Sequence, residues 1–186
     1  MYPYIRMAKE MWKFRKAPGL SILEPHISTH RIWPWDLDPW RELNNGRTLT
    51  LFDLGRIPMS VRMGFDRVAK AKGWGITVAG NSTRYRRRVT VFQRLTQVSH
   101  VLGWDERFVY LEQSFWRNGE CTASMLLRSA FIRKGGMVPP HEVLDALGQP
   151  VQSPDLPAWV KAWIAGDAAR TWPPELPETA KAAIGS

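Results

Sequence analysis

The spacing of apolar residues divides the chain into a helical first third, a sheet-forming middle and a helical end. Ile5, Ala8, Met11 and Trp12 recur at helical spacing within Tyr4–Lys16, and Arg6, Lys9, Lys13, Arg15 and Lys16 give that segment a basic face. Ala17-Pro18-Gly19 ends it. A short β-prone run, His30–Trp33, precedes a segment bracketed by Pro34 and Pro39, where regular structure cannot persist. Asn44 is a good helix cap, and Leu49, Phe52 and Arg56 then fall on or near one helical face. Pro58 is expected to break or kink this helix, and Ser60 to cap a second one. That second helix has Val61, Phe65, Val68 and Ala69 on its apolar side, Arg62, Asp66, Arg67, Lys70 and Lys72 on the other, and Gly73 and Gly75 at its close.

From Ile76 the character changes to sheet. Ile76–Val91, Arg94–Leu102, Arg107–Arg117 and Glu120–Arg133 are extended candidates, and Asn118-Gly119 joins the last two as the best short hairpin signal in the chain. Cys121, Ala123, Met125, Leu127, Ser129 and Phe131 alternate with Thr122, Ser124, Arg128 and Ile132, which gives one mainly apolar face and implies antiparallel pairing. Pro139-Pro140 ends the sheet, and His141–Leu147 reads as a short helix. Gln149–Leu156 is a polar connector, and Trp159, Trp163 and Ile164 ride a final helix. The tail after Trp172, rich in Pro, Ala and Glu, is expected to be mobile. Helices gathered on one face of an antiparallel sheet make an α+β fold, and a central helix wrapped by one curved sheet fits this order.

Composition narrows the partners. A length of 186 residues suits one domain, and 44% hydrophobic with 23% charged residues is ordinary for a soluble globular chain. A net charge of +9 favours anionic partners, whether nucleic acid, anionic lipid or a phosphorylated ligand. No apolar run approaches the roughly 20 residues of a spanning helix, and the first sixteen residues are too charged for a signal peptide. Cys121 stands alone, which excludes an internal disulfide and fits a reducing compartment, so a cytoplasmic location is expected. The basic N-terminal helix reads two ways. It can make peripheral contact with an anionic membrane through residues 4–16, or pack on its own domain with solvated lysines.

The densest candidate chemistry runs from Trp35 to Arg56. Asp36, Asp38 and Glu42, with Asn44 and Asn45, crowd the entrance to a helix whose first amides carry partial positive charge. Such an end can hold a developing oxyanion, and a carboxylate on the preceding loop can act as general base or nucleophile. The alternative is capping: Asp and Asn before a helix commonly bind its amides, and Asp-Pro marks a turn. Arg84, Arg86, Arg87 and Arg88 form the densest basic run. Arg84, Arg86 and Arg88 share one face if that run is a strand, suited to phosphates or to protecting a sheet edge. His26, His30, His100 and His141 show no metal-ligand spacing, so no metal is expected. Cys121 reads as inert core. No nucleophile elbow, phosphate-binding loop, dinucleotide fingerprint or nucleic-acid module is present, so nucleic acid is not an expected partner.

Asp36-x-Asp38 followed by Leu43-Asn44-Asn45-Gly46-Arg47-x-Leu49 resembles the hotdog-fold thioesterases of the 4-hydroxybenzoyl-CoA type, where an Asp-x-Asp element precedes the entrance to the central helix. Leu49–Arg56, Leu102-Gly103-Trp104-Asp105, Phe108–Gln113 and Ser153–Pro157 narrow the resemblance to the thioesterase superfamily member 6 group. The resemblance implies a hotdog domain over residues 20–148, flanked by the N-terminal helix (1–19) and a C-terminal connector, helix and tail (149–186). It implies a homodimer joined sheet edge to sheet edge. It also implies an acyl-CoA or similar thioester as substrate, bound near the dimer interface, with no cofactor. It puts the catalytic carboxylate at Asp38, with Glu42 and Asn45 beside it. Trp40, Asn44, Gly46, Asp53, Arg84, Arg86 and Arg88 are the candidate substrate contacts, although Asp53 and Arg56, at i and i+3, could instead simply pair. Arg41-Glu42 replaces the Gly-His pair of the family pattern. The competing expectation is a non-catalytic acyl-CoA or lipid-binding module.

Overall fold

The computed structural model describes residues 2–177 and Lys181. Five helices, α1 (Tyr4–Phe14), α2 (Asn45–Arg62), α3 (Phe65–Lys72), α4 (Pro140–Ala146) and α5 (Ala158–Ala168), accompany six strands. The strands are β1 (His26–Arg31), β2 (Gly75–Tyr85), β3 (Arg94–Trp104), β4 (Val109–Arg117), β5 (Glu120–Arg133) and β6 (Gly136–Val138). All pair antiparallel in the order β1-β3-β4-β5-β2, with β6 hairpinned onto the end of β5. The chain divides into one compact unit ending at Pro154 and a second beginning at Asp155, which carries α5 and a Lys161–Asp155 ion pair at 2.6 Å. Of the mobile tail expected after Trp172, residues 178–180 and 182–186 lie outside the described residues.

The α+β reading holds, and the sheet curls around α2 as the resemblance implies. Leu51, Phe52, Leu54 and Met59 of α2 are buried against Leu95, Phe115, Met125 and Leu127 of the strands. Phe52 stacks on Phe115 with centroids 4.4 Å apart, a contact worth ~0.5–1.5 kcal/mol beyond the apolar area it removes from water. Helix and sheet meet most closely at Gly55. A Cβ there would collide with the Gln97 side chain and lie 2.8 Å from Ser99 Oγ, so the approach requires glycine.

Four sequence expectations are corrected. Pro58 does not end its helix: α2 runs eighteen residues through it, because a proline removes one hydrogen bond while the buried Pro58 and Met59 keep the turn packed. Ser60 therefore caps nothing and donates to the Ile57 carbonyl within α2 at 2.8 Å. The break falls at Gly64, whose φ of 84° starts α3. The first strand is His26–Arg31 rather than His30–Trp33. The long extended segment ends at Tyr85, so Arg84, Arg86 and Arg88 do not share a strand face.

Three further motifs behind the resemblance serve the fold. The Trp104 amide donates to Ser153 Oγ at 2.9 Å and its indole to the Val151 carbonyl at 3.1 Å. Asp105 accepts from the Arg107 and Phe108 amides, both at 2.7 Å, and from the Tyr110 hydroxyl at 2.6 Å.

Candidate active site

The loop between β1 and α2 is built on Asp36, which is 1% exposed. Asp36 Oδ2 accepts from Arg6 Nη1 of α1 at 2.7 Å and from the Trp33 amide at 3.0 Å. Asp36 Oδ1 faces Arg47 Nε of α2 at 3.1 Å as an ion pair without hydrogen-bond alignment. One buried carboxylate thus ties α1, the loop and the first turn of α2 together, and the Asn44 amide donates to its carbonyl at 3.0 Å.

Asp38, two residues on, is only half-buried. Its Oδ1 accepts from the Trp40 amide at 2.9 Å and the Glu42 amide at 3.1 Å, which closes a tight loop whose tip, Arg41, has a φ of 62°. No described residue supplies a hydrogen bond to Asp38 Oδ2. The side chain is held by one oxygen and offers the other.

Glu42, where the family pattern has a histidine, pairs with Arg88 at 3.0 Å, and Arg88 also donates to the Trp40 carbonyl at 2.8 Å. Arg87 pairs with Glu120. All four arginines are exposed; Arg88 is engaged in bracing the loop and Arg87 with Glu120, while Arg84 and Arg86 form no ion pair with any described residue.

At the helix entrance, Asn44 Oδ1 accepts from the Arg47 amide at 3.0 Å and the Asn44 carbonyl from the Thr48 amide at 2.8 Å. That capping reading was right for Asn44, and it leaves the amides of Asn45 and Gly46 in the first turn without a hydrogen-bond partner among the described residues. Asn45 gives its carbonyl to the Tyr85 hydroxyl at 3.3 Å. Gly46 lines a recess of ≈ 390 Å³ with Tyr2, Trp35, Leu37, Asn44, Arg47 and Thr50.

A second recess of ≈ 290 Å³ continues along the same face of α2 and shares Tyr2 and Thr50 with the first. Asp53, Arg56 and the β2 residues Val78 and Asn81 line it. Asp53 pairs with Arg56, and the Tyr2 phenol lies close enough to interact with its carboxyl. Burial pushes the Asp53 carboxyl up, against the opposing pull of Arg56 and Tyr2. Burial and the neighbouring Asp53 push the Tyr2 phenol up to about 12, so it stays a donor. Arg56 reaches Gln113 Oε1 at 3.1 Å, and Gln97 and Gln113 both donate to the Phe52 carbonyl at 2.9 Å. The recess thus rests on a buried polar network at the middle of α2.

The structure brings Asp38, Glu42, Trp40 and Arg88 together in the loop, and Asn44, Asn45, Gly46 and Asp53 along α2. It sets Arg84 and Arg86 apart from Arg88. Sequence reasoning missed Tyr2, for which a lone aromatic two residues before a helix gives no signal. It also passed over Asp36 as an anchor, although the flanking Trp33-Pro34 turn placed that residue inward. Cys121 is half-buried rather than core; burial and the nearby Glu112 push its thiol up, away from the reactive thiolate. Among the described residues no cluster of His, Cys, Asp or Glu could hold a metal ion, and no helix is long and apolar enough to cross a membrane.

A sheet curled on a central helix, entered through an acidic loop, defines a hotdog-fold protein. The chain belongs to the thioesterase-like superfamily, whose family description matches residues 32–164. Protein THEM6 of Xenopus laevis is 29% identical over 164 residues, covering 87% of this chain and 78% of that one. Protein THEM6 of Danio rerio is 28% identical, covering 80% and 73%. The fold is similar to that of YbaW, a probable thioesterase from Escherichia coli (TM-score 0.63, 19% identity, 68% of this chain and 99% of that one). It is also similar to BH1999 gentisyl-coenzyme A thioesterase (TM-score 0.57, 15% identity, 65% and 98%).

Proposed function

We propose that the protein hydrolyses an acyl-CoA or related thioester, with Asp38 as the carboxylate that acts on water or on the thioester carbon. One observation carries this reading: Asp38 is fixed by two loop amides through one oxygen and keeps the other uncommitted, on the loop that leads into the first turn of α2. As general base, Asp38 takes a proton from water as the hydroxide oxygen bonds to the carbonyl carbon. As nucleophile, it forms an acyl anhydride that water then cleaves. On either route the carbonyl electrons move onto oxygen, where the Asn45 and Gly46 amides can receive the charge, and return as the C–S bond breaks; the departing thiolate of coenzyme A takes its proton from Asp38 on the first route and from water on the second. Asp53 is the lesser candidate because Arg56 already engages its carboxylate; it lines the second recess with Tyr2. Arg84 and Arg86 are free to meet the phosphates of coenzyme A. A second copy pairing along β2, the outer strand at one edge of the sheet, would cover Ile76 and Val78, which are 45% and 47% exposed.

A thioesterase assay over short, long and aryl acyl-CoAs tests the reading, with Asp38→Asn and Asp53→Asn in parallel. Loss of thiol release in Asp38→Asn alone is the expected result; unchanged turnover removes Asp38 from the chemistry. The non-catalytic reading is favoured by one feature, the Glu42–Arg88 pair where the family pattern puts a neutral hydrogen-bonding ring. Tight acyl-CoA binding without release at any chain length would establish it.

A further inference from the structure

The helix α1 packs on the domain through Met7, Met11 and Phe14 together with Arg6 and Glu10. Glu10 is 4% exposed, and Arg6 turns in to reach Asp36 and, at 3.0 Å, the Arg31 carbonyl. Outward, Tyr4 is 72% exposed, Ile5 88% and Trp12 65%. Ile5, Ala8 and Trp12 follow one another at spacings of three and four, so they form a single stripe along the solvent face. A helix that only covers its own domain does not need large apolar side chains on its solvent face as well.

What borders the stripe decides its occupant. Lys9, Lys13, Arg15 and Lys16 are exposed around it, and Glu10, the lone acid of the segment, is buried. The Arg15 guanidinium sits 3.9 Å from the Trp12 ring. Exposed charge is thus of one sign, which repels a second copy of the same helix and fits a surface both anionic and apolar. We propose that α1 docks the protein on an anionic lipid bilayer, with Ile5, Ala8 and Trp12 at the headgroup–acyl boundary and the lysines against lipid phosphates. Tyr2, which lines both recesses, lies immediately before this helix, so docking holds the recess mouth near the lipid.

Flotation with vesicles tests this without any turnover measurement, and so stands apart from the hydrolase reading. The full chain is expected to float with vesicles of equal parts phosphatidylcholine and phosphatidylglycerol, and weakly with phosphatidylcholine alone. Combined Ile5→Gln and Trp12→Gln, both helix-compatible and exposed, are expected to cut binding roughly tenfold or more with the thermal melt unchanged. Combined Lys9→Glu, Lys13→Glu and Lys16→Glu should abolish the preference for phosphatidylglycerol, and added salt should mimic that loss. The proposal is overturned if the wild-type chain stays in the aqueous layer, or if the glutamine variant floats as wild type does. It is overturned in favour of self-association if sedimentation equilibrium shows an assembly that the glutamine variant dissolves while no vesicle binding occurs.

Discussion

Asp36 and Asp38 stand two residues apart in one loop, and the structure uses them in opposite ways. Asp36, at the root, lies fully buried under α1 between two arginines. Asp38, at the tip, is half in water and keeps one oxygen uncommitted. Identical carboxyl groups thus divide into a buried anchor and a half-exposed group with an oxygen to spare, the proposed reagent, according to what surrounds them. The lesson is general: a carboxylate whose lone pairs are filled by cations holds structure, and one tethered through a single oxygen remains available for proton transfer.

The comparison breaks first, and most heavily, at the root. Asp36→Ala strands Arg6 and Arg47 in a buried site, and losing one partner of a buried pair costs ~3–5 kcal/mol. Chemical denaturation should show that loss, and a variant as stable as wild type would remove the anchor role. At the tip the expected pattern is the reverse. Asp38→Asn should lower turnover by about 10²–10⁴ while its denaturation midpoint moves little, since the amide oxygen can still accept from the Trp40 and Glu42 amides. A large fall in midpoint would instead assign Asp38 to structure.

Acid sharpens the contrast, because the root packs beside buried histidines. Burial and the nearby cations Arg6 and Lys13 hold His30 down at about 3, and burial with Arg62 and Lys13 holds His26 at about 4. The unfolded chain takes up those protons from pH ~6.5 downward while the folded chain does not. Stability present above that pH is therefore lost as pH falls toward 4, by on the order of 3 kcal/mol for His30. Glu10 opposes this, since burial raises its carboxyl above the ordinary range in the folded state. His30→Gln should flatten the decline of melting temperature between pH 6.5 and 4; an unaltered slope would exclude His30 as the source. The smallest effect is expected at Glu42, whose pair with Arg88 is exposed. Glu42→Gln should cost no more than ~1 kcal/mol, so any large change in turnover from it would report on the chemistry of the loop rather than on folding.

The site was legible in part, for reasons visible residue by residue. The crowding of acids and amides before Leu49 marked the entrance of the central helix, and Asn44 caps it as its residue type predicts. The Asn118-Gly119 hairpin and the three strands from Arg94 to Arg133 followed from period-two alternation, which burial on one sheet face imposes. Pro58 misled because proline has a local cost that tertiary burial can outweigh, and Gly64 carried the break instead. The basic run misled because only Arg84 lies on the strand. The first helix misled most: spacing identified an amphipathic helix but could not say which face would turn inward.

By itself, then, the sequence determined the succession of elements, the α+β class, the family and the position of the acidic loop, since periodicity, turn chemistry and short motifs are local properties. Tertiary structure alone decided which carboxylate is buried, that Tyr2 crosses to Asp53, that Arg88 braces the loop, and that Ile5 and Trp12 face outward. Those outcomes depend on contacts between residues far apart in the chain, such as Arg6 with Asp36 and Glu42 with Arg88, and no local pattern encodes which distant partner will be present.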